Sequence, residues 1–167
     1  MDLNFKSNSK YLAEVAIIAA IYIVLTVMLS WISYGQIQFR VAEALLVLVL
    51  YKKSGPAGLV IGCLIANIFS PFGLPDIIFG TLGSVFAVSG IYLLRKQNIF
   101  ISLLPGVIAN ALLVGLELKL FVNLPFFLSA MYVAAGQAVV IYALGIPLYY
   151  ALKKIGYKND YENVLIN

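Results

Sequence analysis

A set of apolar runs of helical length, each closed by charged residues or by a Gly/Pro turn, constrains this chain more than any other feature. The run 11–33 holds one charged residue, Glu14, and runs of similar length follow at 76–94, 100–121 and 126–152. About 20 apolar residues match the ~30 Å hydrocarbon core of a bilayer. Backbone inside lipid must satisfy its own hydrogen bonds, which leaves helices or a closed barrel. No sustained alternation of apolar and polar residues runs through these segments, so helices are expected. Composition agrees: 63% of the 167 residues are hydrophobic and 11% charged, and the mean hydropathy of +1.01 is far from that of a soluble domain.

The stretch Gln36-Ile37-Gln38-Phe39-Arg40-Val41-Ala42-Glu43-Ala44 interrupts this pattern with two ionisable groups and two amides. A lone charge deep in a bilayer costs roughly 2.5–3.5 kcal/mol on insertion scales, so Arg40 and Glu43 are expected to face protein, each other or a wet cavity. The ordinary alternative is an i,i+3 ion pair closing the first turn of a helix.

Taken in order, the chain predicts a single all-α transmembrane domain, 1–167, with six helices over about 11–33, 40–51, 56–69, 76–94, 100–121 and 126–152. The second and third are short. From Gln36 to Tyr51 an α-helix covers only about 24 Å, so its outer end is expected to stop below the surface, with Arg40 and Glu43 open to a cavity. Ser54-Gly55-Pro56 and the segment from Ser70 to Pro75 are breaks, Pro105-Gly106 is a possible kink, and the tail 155–167 is expected to fray. Of the 11 Lys and Arg residues, all but Arg40 and Lys119 fall on the side of the termini. By the positive-inside rule both termini are cytoplasmic in a multi-pass protein of the cell membrane. The pI near 9.1 thus reflects membrane anchors, not nucleic-acid binding.

The outer half collects polar groups: Arg40, Glu43, Asn67, Asp76, Asn110 and Glu117, with Gln137 a little deeper. Asn110 and Glu117 are two turns apart on one helical face. Each residue has an ordinary reading. Asp76 after Pro75 fits an N-cap, Asn67 or Asn110 an interhelical hydrogen bond worth about 0.6 kcal/mol, and Glu117 neutralisation by Lys119. Together they point to a binding site open to the outside. Aromatics such as Trp31, Tyr34, Phe72 and Phe127 frame that level, either as an interfacial belt or, for one or two, as a stacking surface for a planar ligand. Small residues recur at four-residue spacing in several helices, among them Ala16 and Ala20, and Gly58, Gly62 and Ala66, as close helix packing requires.

Several classes are excluded. The chain has no histidine and one cysteine, Cys63, so metal, haem or disulfide frameworks lack ligands. No phosphate-binding loop, nucleophile elbow or second membrane aspartate is present, so neither an ATPase nor an intramembrane or serine hydrolase is expected. The expectation is a protein that is not an enzyme and has no catalytic residues.

The segments Gln38-Phe39-Arg40-Val41-Ala42-Glu43-Ala44-Leu45, Gly62-Cys63-Leu64-Ile65-Ala66-Asn67-Ile68-Phe69-Ser70-Pro71 with Asp76, Asn110-Ala111-Leu112 followed by Val114-Gly115, and Leu124-Pro125-Phe126 resemble the QueT family. That family comprises substrate-binding S components of energy-coupling factor (ECF) transporters assigned to queuosine precursors. The resemblance implies six helices and an importer driven by partners: a membrane scaffold subunit and two cytoplasmic ATPases that hydrolyse ATP, with no cofactor in this chain. It implies scaffold contact through the small residues of the first helix, Ala16 and Ala20. It also implies a 7-deazaguanine ligand held by Arg40, Glu43, Asn67, Asp76, Asn110, Glu117 and Gln137, with Phe72 beside them. Nanomolar binding of so small a ligand demands near-complete enclosure, so the segments 33–39 and 70–75 are expected to act as lids. Rival readings are an S component for another vitamin-like ligand, a self-sufficient small-solute carrier or channel, and a purely structural membrane protein.

Overall fold

The computed structural model describes residues 2–35 and 37–161; Gln36 at the head of the polar stretch, and the tail beyond Tyr161, lie outside the described residues. Among the described residues the chain is helical, with no strand. Helix α1 (Asp2–Met28) takes in the polar leader ahead of residue 11, and a break at Leu29 separates it from the single turn α2 (Ser30–Ser33). A 3-10 helix (Val41–Leu50), α3 (Gly55–Ile68) and a π turn (Asp76–Gly80) follow, the last running directly into α4 (Thr81–Leu94). Then come α5 (Ile99–Val122), α6 (Phe126–Ala138), a π-helical stretch (Val139–Gly145) and α7 (Ile146–Lys154). Four continuous stretches are long and apolar enough to cross a bilayer: Asn8–Met28, Asp76–Leu94, Ile99–Val122 and Phe126–Lys154. Val41–Leu50 and Gly55–Ile68 are apolar but shorter.

The segment expected to be an α-helix over 40–51 is a 3-10 helix of 10 residues. At about 2.0 Å rise per residue against 1.5 Å, it reaches about 20 Å where an α-helix of equal length would reach about 15 Å. Side chains three apart eclipse in this geometry, which lines up Glu43, Leu46 and Val49, all essentially inaccessible. α1, α3, α4, α5, α7 and the π stretch all touch this element. This short element is therefore the axis of the fold, with Arg40 and Glu43 at one end and Lys52 just past the other.

Glycines set how closely the outer helices approach that axis. A Cβ on Gly62 would lie 2.8 Å from Tyr22 Cβ and 3.1 Å from the Ala19 backbone, and one on Gly58 would lie 2.8 Å from Ile18. These contacts seat α3 on the buried side of α1, formed by Val15, Ile18, Ala19 and Tyr22. Ala16 and Ala20 lie on the exposed side of α1, with Leu12, Ile17 and Val24. α5 continues through Pro105, the possible kink. Gly90 of α4 leaves room for its ring, since a Cβ there would come within 2.5 Å.

The tail departs from the expected fraying as far as Tyr161. α7 ends in a Schellman reversal, with Gly156 at φ 66°, its N–H on Lys153 O and the Tyr157 N–H on Leu152 O. The chain then folds back across the turn after the 3-10 helix. Asp160 N–H donates to Tyr51 O at 2.8 Å, and Tyr161 Oη to Lys52 O at 3.3 Å. Lys52 Nζ lies 3.4 Å from Glu14 and 3.6 Å from Asp160, and the Arg95 guanidinium lies 4.0 Å from the Tyr92 ring centroid and 5.4 Å from that of Tyr161.

Two tests follow from this packing. Burial opposes the Lys52 charge, but Asp160 and Glu14 outweigh it and hold the ammonium above the ordinary value of 10.5. Burial and neighbouring Tyr92 push the Tyr161 phenol up to about 12, against the opposing pull of Arg95. Both groups favour the folded protonated state. Their contribution is present at neutral pH and is lost as pH climbs, for Tyr161 between 10.0 and about 12 and for Lys52 above 10.5. Thermal unfolding in detergent should therefore show an alkaline fall in Tm that is blunted in the pair Lys52→Met, Tyr161→Phe; an unchanged pH profile in that pair would exclude the coupling. By the same measurement Gly62→Leu should cost about 1–3 kcal/mol by overpacking α1 against α3, while Ile61→Leu, at an exposed neighbour, should be nearly neutral.

Candidate functional site

Arg40, Glu43, Asn67, Asp76, Asn110, Glu117 and Gln137 are each 3% exposed or less. They arrive from separate elements: the entry to the 3-10 helix, α3, the π turn, α5 and α6. The sequence-predicted polar constellation is thus brought together inside the protein, near the end opposite the Lys52 cluster.

Its best-connected member is Glu43. Tyr22 Oη donates to Glu43 Oε1, and Asn110 Nδ2 lies 3.4 Å from both Glu43 Oε2 and Gln137 Oε1. Gln137 Nε2 in turn lies 3.4 Å from Gln38 O. The chain Tyr22–Glu43–Asn110–Gln137–Gln38 crosses from α1 through the 3-10 helix, α5 and α6 to the segment preceding Arg40. Gln38 has φ 46°, a left-handed conformation that costs a non-glycine residue about 1–3 kcal/mol. Its neighbour Ile37 sets its carbonyl against Gly136, where any Cβ would collide with that oxygen.

Arg40 does not form the alternative i,i+3 ion pair. Among the described residues ion pairs are made by Lys52 alone. The guanidinium instead donates from Nη1 to Cys63 Sγ at 3.5 Å and stands 5.5 Å from the Tyr34 ring centroid, with Glu43 and Asp76 in longer electrostatic range. Tyr34 is held by its own bond to Ala66 O at 2.6 Å.

The third group surrounds Asp76. Its carboxylate accepts from Ser70 Oγ, and its carbonyl accepts from Asn67 Nδ2 at 2.9 Å. The N-cap reading does not hold: Pro75 occupies the cap, with no side-chain cap bond. Glu117 faces the Asp76 carboxyl and is buried, while Lys119 is exposed, so Lys119 does not neutralise it. Gly80 and Gly83 make space for the amides, since a Cβ there would lie 2.7 Å from Asn67 Nδ2 and 2.6 Å from Asn110 Oδ1.

The arrangement leaves hydrogen-bonding capacity unused. Among the described residues, Arg40 Nε and Nη2 and Asn67 Oδ1 are buried without a partner, and Asp76 Oδ1 and Glu117 Oε2 have none beyond the bond that the two carboxyls share. A buried polar atom left unsatisfied costs about 1–3 kcal/mol, and native interiors hold few of them. Donors on Arg40 and acceptors on the other three residues together describe the complement of a small polar molecule that offers both an acceptor and several N–H or O–H donors.

Phe72 is not brought into this group. It is 36% exposed in the turn after Ser70, fixed by its N–H on Ser70 Oγ at 3.1 Å. Trp31 and Phe127 are exposed as well. Tyr22 and the Gln38 carbonyl join the site without belonging to the polar constellation that the sequence marks. A tyrosine in the middle of an apolar run, far from either interface where such side chains ordinarily sit, was the available signal for Tyr22; the role of a backbone carbonyl carries none.

The family model described as QueT transporter matches residues 12–154. A curated protein of Lactococcus lactis subsp. cremoris (strain MG1363), named queuosine precursor transporter QueT, is 34% identical, the match covering 79% of this chain and 86% of that protein. No solved structure matches. The family and this relative are transporters, in agreement with the expectation against an enzyme. With apolar helices long enough to cross a bilayer and a family match over most of its length, the chain belongs to the QueT transporter family.

Proposed function

We propose that this chain is the substrate-binding S component of an ATP-driven ECF importer of the cell membrane, taking up a queuosine precursor through the site built around Arg40, Glu43, Asn67, Asp76, Asn110, Glu117 and Gln137. The observation that carries this reading is the cluster, among the described residues, of unpartnered buried atoms on Arg40 and Asn67 beside the facing carboxyls of Asp76 and Glu117. A 7-deazaguanine carries a carbonyl that suits the Arg40 donors and a guanine-like edge of N–H groups that suits Asn67 Oδ1 and a carboxylate. An aminomethyl or related amine supplies a cation for the facing pair Asp76 and Glu117, where one arginine alone stands against three acids. Glu43, already engaged by Tyr22 and Asn110, acts mainly as the centre that holds the walls in place.

In this reading the chain crosses the membrane six times, both termini are cytoplasmic, and the site opens to the outside. The motor lies in partner subunits: a membrane scaffold, contacted through the exposed side of α1 at Ala16 and Ala20, and two cytoplasmic ATPases. The segments around Gln38 and Phe72 open to admit the ligand, and Phe72 closes over it.

Calorimetry on the purified chain with a panel of 7-deazaguanines, and with guanine, riboflavin and biotin as controls, tests the ligand. Tight binding of a deazaguanine should weaken roughly 10- to 100-fold in Asn67→Ala and in Glu117→Gln, as for loss of a hydrogen bond to a charged or buried group, and measurably in Gly83→Ala, which displaces Asn110. Tight binding of a control vitamin would reassign the ligand. Proteoliposomes test the motor: uptake should need scaffold, ATPases and ATP. Uptake by the chain alone under an ion gradient would make it a self-sufficient carrier.

A further inference from the structure

A cavity lies at the end of the molecule opposite the buried polar cluster, between α7 and the folded-back tail. It measures about 340 Å³ and is walled by Tyr51, Tyr149 and Tyr157, with Lys153 and Lys158 contributing the charges. Among the described residues, no carboxylate lines it. The acids nearby among the described residues are already committed, since Glu14 and Asp160 both pair with Lys52, and Asp160 also accepts from the Lys53 N–H at 3.4 Å. The carbonyls of Ala151, Leu152 and Lys153 near the end of α7 are likewise satisfied, because the reversal at Gly156 returns the N–H groups of Ile155, Tyr157 and Gly156 to them. Among the described residues, no acid pairs with Lys153 or Lys158, and both are exposed.

We infer that this cavity binds the phosphate of an anionic phospholipid headgroup, with Lys153 and Lys158 as its cationic ligands and the tyrosines as its walls. Its position favours a lipid over a soluble anion. It lies where an apolar helix long enough to cross a bilayer, Phe126–Lys154, comes to its end. The same helix and the residue following it expose Leu144, Tyr150 and Ile155, an apolar surface along which acyl chains can lie. Basic pockets at the ends of membrane helices suit anionic headgroups for this reason. The tail forms one wall of the cavity, so an occupied cavity also holds the tail against Tyr51 and Lys52. This inference is independent of the ligand assigned to the buried site.

The test is native mass spectrometry of the full chain released from detergent with phosphatidylglycerol, phosphatidylcholine or inorganic phosphate. Phosphatidylglycerol should be retained in preference to phosphatidylcholine, and excess inorganic phosphate should not displace it. Lys153→Gln with Lys158→Gln should weaken retention about 25-fold, at roughly fivefold per lysine. Lys96→Gln with Lys119→Gln, an equal change of charge elsewhere, should leave it unchanged. Unfolding temperatures without lipid establish that the variants are folded, and the single Lys158→Glu, beyond the last helix, carries the test if the double variant unfolds. Equal loss in both double variants, equal retention of phosphatidylcholine, or displacement by phosphate alone would overturn the inference.

Discussion

Burial of the Glu43 carboxylate is the condition on which the rest of the structure depends. A carboxylate at the heart of an apolar protein is tolerated only if its oxygens find donors, and here they come from opposite directions, Tyr22 on α1 and Asn110 on α5. Those bonds fix two outer helices to the 3-10 helix that bears Glu43. The remaining members then fall into place: Gln137 is drawn in by Asn110, and Gln137 holds the carbonyl of Gln38. One buried acid thus organises four helical elements and the segment that leads into them.

The 3-10 geometry of Val41–Leu50 is the second constraint. Its extra rise per residue lets ten residues connect the buried polar site at one end to the Lys52 cluster at the other. Both ends are closed by chain that folds inward, the Gln38 turn over the site and the reversal at Gly156 over Lys52. Polar work is done at the two ends of the axis, while apolar packing against glycines fills the length between.

Much of this was legible in the sequence. Apolar run lengths and basic pairs marked the long helices within a few residues, because lipid demands internal hydrogen bonding and few charges. Arg40, Glu43, Asn67, Asp76, Asn110, Glu117 and Gln137 stood out because polar groups are costly in apolar surroundings, and the fold does bury them together. Three things were not legible. The 3-10 form of Val41–Leu50 leaves no mark in periodicity over so short and uniformly apolar a run. The capture of the tail depends on Lys52 recruiting Glu14 and Asp160, a tertiary event that local polarity does not announce. The role of Tyr22 is tertiary as well, because its hydroxyl meets Glu43 only once α1 is docked on the axis.

The proposed ligand site rests on the open hydrogen-bonding atoms of Arg40 and Asn67 and on the facing carboxyls of Asp76 and Glu117. Its most direct test is an experimental structure of the chain with a 7-deazaguanine bound. The ligand is expected to be enclosed in the site, partnering Arg40 Nε or Nη2, Asn67 Oδ1 and at least one of Asp76 Oδ1 and Glu117 Oε2, with the Tyr22 to Glu43 bond retained. A ligand bound elsewhere, or one that leaves all of those atoms unpartnered, would contradict it.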